Sequence, residues 1–278
     1  MSPSPRKLPR ILLATLALLG SYELFLRWTG IQAEYAESNL QANLARISTY
    51  FFQPTPENLI LGSSLSGRLL PKFFLECGRS FGTLAMDGAG VPMGLELLQA
   101  KQEKPQRLFL EANSLFFRSP ANEQTLREAI QNPVFQRGEF FYFCRPQSRP
   151  SALVYSLLKQ AREAGESGVL GLPPSKVPGG TEMPREIDDQ LLRIIPQEKM
   201  QIFLVVLPSG RGESLPGPAA QKWAAKMNAR WIFPRKCLPS EGKDLRYTDG
   251  LHLDRNSARK VCRIIVDQAL LMGPGNSP

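Results

Sequence analysis

From Asn58 onward, short apolar runs alternate with longer stretches whose apolar positions recur at helical spacing. The runs predict strands at Leu59 to Leu61, Ser80 to Ala85, Arg107 to Leu110 and Gln201 to Leu207, with a weaker one at Arg230 to Phe233. The longer stretches predict helices at Pro92 to Lys101, Ala121 to Gln131, Ala152 to Ala164, Arg185 to Ile194, Pro218 to Asn228 and Arg255 to Leu271. Strands and helices in alternation argue for an α/β fold, a parallel sheet flanked by helices on both faces. The stretch from Phe116 to Pro184 breaks the rhythm. It holds an aromatic cluster, Phe140 to Phe143, and a Gly/Pro-rich run, Gly165 to Pro184, that cannot be regular secondary structure. The aromatics are expected as an insertion, a lid or groove wall at about 116–184, and the Gly/Pro run as a loosely ordered excursion.

The amino terminus has a different pattern. Arg6, Lys7 and Arg10 precede the apolar stretch Ile11 to Gly20, and Ser21 to Trp28 continue it with Tyr22, Glu23 and Arg27 interspersed. This is the layout of a signal peptide or a signal anchor. The uninterrupted apolar part is short for a span of about 20 residues, and Glu23 would cost up to ~3 kcal/mol at mid-bilayer. With Glu23 and Arg27 at the outer interface, Tyr22 and Trp28 fall at the level of an aromatic belt and the basic residues stay cytoplasmic. An N-terminal transmembrane helix within residues 1–33 is therefore expected, with cleavage after Ile31 to Ala33 or a soluble amphipathic helix as the alternatives. Residues 34–57 carry a weak helical stripe, Tyr35, Leu40, Leu44 and Ile47, which reads as a stalk ended by Pro54 and Pro56. The domain proper is expected at 58–272. No later segment is long and apolar enough to span, so a chain beginning near Glu34 should be soluble.

Composition changes this picture little. The 278 residues are 42% hydrophobic and 21% charged, which is ordinary for a globular chain, and the net charge of +9 is spread rather than clustered. It suits a surface near anionic lipid head groups or an acidic polymer, and nothing resembles a nucleic-acid module. Export would place Cys77, Cys144, Cys237 and Cys262 in a disulfide-permissive compartment, where four cysteines allow three pairings. No cysteine pair has metal-ligand spacing, and no cofactor motif is present.

Chemistry concentrates in two segments. The only histidine, His252, stands three residues after Asp249 in Tyr247-Thr-Asp-Gly-Leu-His252. One loop can thus carry a general base and the carboxylate that orients it. Asn58 to Ser64, reading Asn-Leu-Ile-Leu-Gly-Ser-Ser, is a short apolar run that delivers a hydroxyl to a strand's C-terminal end. Two further segments follow the next two strands, Asp87-Gly88-Ala-Gly90 and Glu111-Ala-Asn113.

In this order the four segments resemble the blocks of the SGNH (GDSL-type) hydrolase superfamily, from Asn58 to about Leu271. The resemblance implies a three-layer, flavodoxin-like parallel sheet, with Ser64 as nucleophile, His252 as its base and Asp249 as the residue orienting the imidazole. It implies an oxyanion hole made by the backbone N–H groups of Ser64 and Gly88 and the side-chain amide of Asn113. This chain departs from the family pattern in three places: Gly-Ser-Ser replaces Gly-Asp-Ser, Glu111 replaces a glycine, and Gly90 competes with Gly88. The Gly-Ser-Ser form is similar to that of exported, membrane-associated members working in cell-envelope or exopolysaccharide O-acylation. An α/β-hydrolase elbow fits less well, since Gly-x-Ser-x-Gly would need glycine where Ser66 stands.

The expected function is that of a membrane-anchored serine esterase or O-acyltransferase on the periplasmic or extracellular side. It would act on an acylated glycan or other acyl ester, with a membrane acyltransferase as a possible donor of acyl groups. The alternative is a non-catalytic envelope or polysaccharide assembly protein that uses the same fold as a carbohydrate-binding surface.

Overall fold

The computed structural model describes residues 8–165, 200–210, 216–238 and 244–272. The predicted helix Arg185 to Ile194 and nearly all of the Gly/Pro-rich run lie outside them. By packing, the chain divides into Met1–Ser48 with Arg127–Ser167, and Thr49–Leu126 with Gly168–Pro278.

The second unit is built on five parallel strands, β1 (Asn58–Gly62), β2 (Phe81–Ala85), β3 (Arg107–Glu111), β4 (Gln201–Val205) and β5 (Arg230–Ile232), in the order β2-β1-β3-β4-β5. Each begins within a residue of its predicted start. The predicted ends of β4 and β5 run past the sheet, because apolar residues continue into the loops beyond it. Parallel strands are buried on both faces, so they read as unbroken apolar runs rather than as alternation. All five residues of β1 are buried.

Ile60, Phe109, Phe203 and Val205 pack in one cluster with Phe73 and Phe74 of α3 (Pro71–Leu75) and Val261, Cys262 and Ile265 of the C-terminal helix, Arg255–Leu271. Phe81, Phe109 and Phe203 form a row across the sheet, with ring centroids 5.0 and 4.7 Å apart. Gly94 of α4 (Val91–Ala100) packs on Leu61 from the opposite face, where a Cβ would lie 3.3 Å from the leucine side chain. Helices therefore cover both faces, as predicted. The short α3 has no counterpart in the sequence reading, because five residues are too few to display a helical period.

The strand order reverses between β1 and β3. The chain leaves β1 for β2 on one side and returns to β3 on the other, so the loops after β1 and β3 diverge at the C-terminal edge of the sheet. In open α/β sheets that crevice is where ligands bind.

The first unit contains α1 (Leu8–Thr29), most of α2 (Asn39–Phe52) and the helix Pro150–Gly165, with one-turn helices between residues 133 and 148. Pro9–Thr29 is long and apolar enough to cross a membrane. Its outward residues are exposed up to Trp28, whereas Leu26 is fully buried. The segment expected as a stalk is folded: within α2, Asn43, Ile47, Ser48 and Tyr50 are buried, and the Ser48 hydroxyl donates to Gln147 Oε1 at 2.8 Å. The aromatic segment Phe140–Phe143, expected as a lid, commits its backbone groups to α1, as detailed below. All four cysteines are free thiols, so none of the three pairings is formed.

Candidate active site

A buried carboxylate organises the turn that follows β1. Glu111, the last residue of β3, is 1% exposed. Its Oε2 accepts from the backbone N–H groups of Ser63 at 2.8 Å and Ser66 at 3.1 Å and from the Ser66 hydroxyl at 2.6 Å; Oε1 accepts from the Ser63 hydroxyl at 2.7 Å. A carboxylate offers about four acceptor sites, and here four donors converge on it. That saturation is what makes a buried charge tolerable at the end of an apolar strand. Gly62 is required beside it, since a Cβ there would collide with the Ser66 hydroxyl and the Glu111 side chain. Ser63 and Ser66 are thus spent on structure. Ser64, between them and partly exposed, is left to face the site.

The second half of the site is a closed loop. Tyr247 and Leu253 form an antiparallel bridge, and Asp254 N–H donates to Arg246 C=O at 2.9 Å. Asp254 also caps the C-terminal helix by accepting from Ser257 N–H at 2.7 Å, while Arg246 N–H donates to the Ser257 hydroxyl at 2.8 Å. The loop is thereby clamped to the helix start two residues after His252. Gly250 turns the chain at φ +73°, and a Cβ on Gly210, in the loop after β4, would run into its carbonyl. Both positions demand glycine.

Within this loop Asp249 uses its two oxygens differently. Oδ1 accepts from the backbone N–H groups of Leu251 at 3.0 Å and His252 at 2.8 Å, making the turn; Oδ2 lies 2.6 Å from His252 Nδ1. The other ring nitrogen, Nε2, lies 2.8 Å from Ser64 Oγ. This arrangement calls for a proton on Nδ1, donated to Asp249, and a lone pair on Nε2 that accepts from the Ser64 hydroxyl. Burial raises the pKa of Asp249, but hydrogen bonds from the His252 backbone and ring and from Leu251 N–H outweigh it and hold the carboxyl down to about 2. Asp249 therefore stays ionised and keeps the ring in the tautomer that can take a proton from serine.

The two remaining segments lie at the same edge of the sheet, after β2 and β3. Gly88 has φ +75°, and its carbonyl accepts from Asn122 Nδ2 at 2.6 Å. Gly90 acts differently. A Cβ there would strike the carbonyl oxygens of Ser114 and Phe117, so this glycine lets the loops after β2 and β3 close on each other. The Asn113 amide pairs with the backbone of Leu207, accepting from its N–H at 2.8 Å and donating to its carbonyl at 3.2 Å. One Nδ2–H beyond that pair is available to a ligand.

Ser64, Asp249 and His252 are brought into one hydrogen-bonded line, and Gly88 and Asn113 are set at neighbouring strand ends. Sequence reasoning missed the structural work of Glu111, Leu207, Gly210 and Asp254. For Glu111 a signal existed: a lone charge closing the apolar run Leu108 to Leu110 must find partners, and Ser63 and Ser66 supply them. Among the described residues no group of three His, Cys, Asp or Glu side chains is placed to hold a metal ion. Compared with protein-family models, curated proteins and solved structures, the chain matches none.

Proposed function

We propose that this chain is a serine acyl-ester enzyme of the SGNH type, an esterase or O-acyltransferase, anchored by α1 and acting outside the cytoplasm on acyl groups of cell-envelope glycans. The observation that carries the reading is the line Ser64 Oγ to His252 Nε2 at 2.8 Å and His252 Nδ1 to Asp249 Oδ2 at 2.6 Å. A surface that only binds carbohydrate has no need of a hydroxyl, an imidazole and a carboxylate in series. The flavodoxin-like strand order, with its switch point between β1 and β3 beside Ser64, agrees with that fold. The choice of glycan esters rests on the Gly62-Ser63-Ser64 form together with an apolar amino-terminal helix.

The chemistry follows from the atoms present. Ser64 Oγ attacks the ester carbonyl carbon while its proton passes to His252 Nε2, and the carbonyl oxygen becomes an oxyanion. Backbone N–H groups of Ser64 and Gly88 and the second Nδ2–H of Asn113 are its donors. As the C–O bond to the alcohol breaks, His252 returns the proton to the leaving oxygen, and the acyl group remains on Ser64. Water or a sugar hydroxyl then gives its proton to Nε2 and attacks the acyl carbon; as the bond to Ser64 Oγ breaks, His252 returns that proton to Oγ and the serine hydroxyl is restored. Hydrolysis and transfer differ only in that acceptor, and a membrane acyltransferase partner feeding acyl groups to Ser64 would favour transfer.

The test is reaction of the full-length protein in detergent micelles with a fluorophosphonate probe, followed by peptide mapping. An adduct on Ser64, absent from Ser64→Ala, is expected. A folded protein that leaves Ser64 unmodified would overturn the reading.

A further inference from the structure

The last turns of α1 are fastened to the aromatic segment at residues 137–148 by contacts that fix their relative depth. Tyr22 Oη donates to Ser148 C=O at 2.6 Å. Glu23, with only 12% of its side chain exposed, accepts from the backbone N–H groups of Tyr142 and Phe143, each at 3.1 Å, and pairs with Arg27 at 2.7 Å. Arg27 in turn donates to Phe140 C=O at 2.5 Å and stacks 4.9 Å from the Tyr142 ring. The segment is stiffened from within by Arg145, which is buried, donates to Gly138 C=O at 2.8 Å and covers the other contact of the Tyr142 ring at 3.8 Å.

These contacts use one face of α1. On its other faces Leu24, Phe25 and Trp28 are exposed, Trp28 by 87%, and in the segment bonded to α1 Phe140 and Phe141 are exposed by 64% and 44%. At about 1.5 Å per residue, a helix the length of α1 only just crosses a hydrocarbon core of roughly 30 Å. Its final turn must then lie at the interface, and whatever is bonded to that turn lies there too. Glu23 is no obstacle, because its charge is turned inward and satisfied. Arg137 and Arg149, both exposed, flank the aromatic segment in sequence and suit phosphate groups at that level.

We propose that Phe140 and Phe141, together with Trp28, form a lipid-docking surface that seats this unit in the head-group layer of the membrane crossed by α1. The proposal rests on the reading of α1 as a span. It assigns the aromatic segment to lipid.

The experiment reconstitutes the full-length protein in nanodiscs of phosphatidylethanolamine and phosphatidylglycerol containing a lipid with a diazirine near its acyl carbonyl. Photolysis is followed by peptide mapping. Adducts are expected on α1 and on the peptide spanning Phe140 and Phe141. In Phe140→Asp/Phe141→Asp the adducts on the aromatic segment should fall several-fold while those on α1 persist. Adducts on α1 alone, or segment labelling unchanged in the double variant, would overturn the docking surface and leave the span intact. No adducts on α1 would overturn the span itself.

Discussion

The Ser66 hydroxyl donates to Glu111 Oε2 at 2.6 Å across 45 residues of chain, and through this contact the end of β3 holds the turn that presents Ser64. Glu111 is a positioning residue: it touches Ser63 and Ser66 and acts on the nucleophile through them. Replacing it by glutamine puts an amide donor among four donors and leaves at least one of them unsatisfied. Glu111→Gln should lower kcat by roughly 10- to 100-fold with KM little changed, and should destabilise the protein by about 1–3 kcal/mol, the cost of an orphaned buried polar group. Steady-state kinetics and chemical denaturation check this. Wild-type kcat in the glutamine variant would mean that the turn holds its shape without the carboxylate.

The nucleophile and the oxyanion donor should separate by magnitude. Ser64→Ala should lose on the order of 10⁶ in kcat toward a small aryl acetate with the fold intact. Asn113→Ala should lose roughly 10² to 10³, as expected for one donor among several. Wild-type kcat in Asn113→Ala would remove Asn113 from the oxyanion donors.

Asp249→Asn should keep the loop, since an amide oxygen can still accept from Leu251 and His252 N–H, but it no longer enforces the Nδ1–H tautomer. A loss of about 10⁴ in kcat follows from the cost of the wrong tautomer in related serine–histidine systems. Circular dichroism should be unchanged.

The pH profile has a determined sign. Neutral imidazole accepts the serine proton, so kcat/KM for an activated ester falls as pH drops and His252 becomes protonated. Asp249, held down to about 2, contributes no limb above about pH 4. His252 is the only histidine, so His252→Gln should retain a low residual rate without that acid limb. If the limb survives in the variant, the ionisation belongs to another group. Asp249 also affects stability: its folded pKa lies below the unfolded value of about 3.8, so its stabilising contribution is present above that pH and is lost as pH falls toward 2.

Truncation before Glu34 should have consequences beyond loss of the membrane. Removing α1 strips Tyr142 and Phe143 of their acceptor Glu23 and uncovers the seat of Leu26. The truncated chain should leave the membrane fraction but be cleaved by trypsin after Arg137 faster than the full-length protein in micelles. Equal cleavage rates would show that the segment keeps its shape without α1.

Features carried by a short stretch of chain were legible in the sequence. The five strands were legible because parallel strands, buried on both faces, leave unbroken apolar runs. Asp249 and His252 were legible as a pair because their spacing lies within one turn, and α1 because its apolar length is a local property. Features that depend on strand order came only with the fold. Hydrophobic pattern says that β1, β3 and β4 are buried but not which of them are neighbours; the adjacency of β1 and β3 brings Glu111 to Ser63 and Ser66, and that of β3 and β4 brings Leu207 to Asn113. The same holds for Glu23, which read as a cost to a membrane helix: its acceptors face two backbone N–H groups about 120 residues away along the chain, and backbone donors leave no mark in a sequence. A charge or a glycine at an odd position announces that some partner is required. Which partner meets it is fixed by the path of the chain through space, because hydrogen bonds and close backbone approach act over about 3 Å and take no account of separation along the chain.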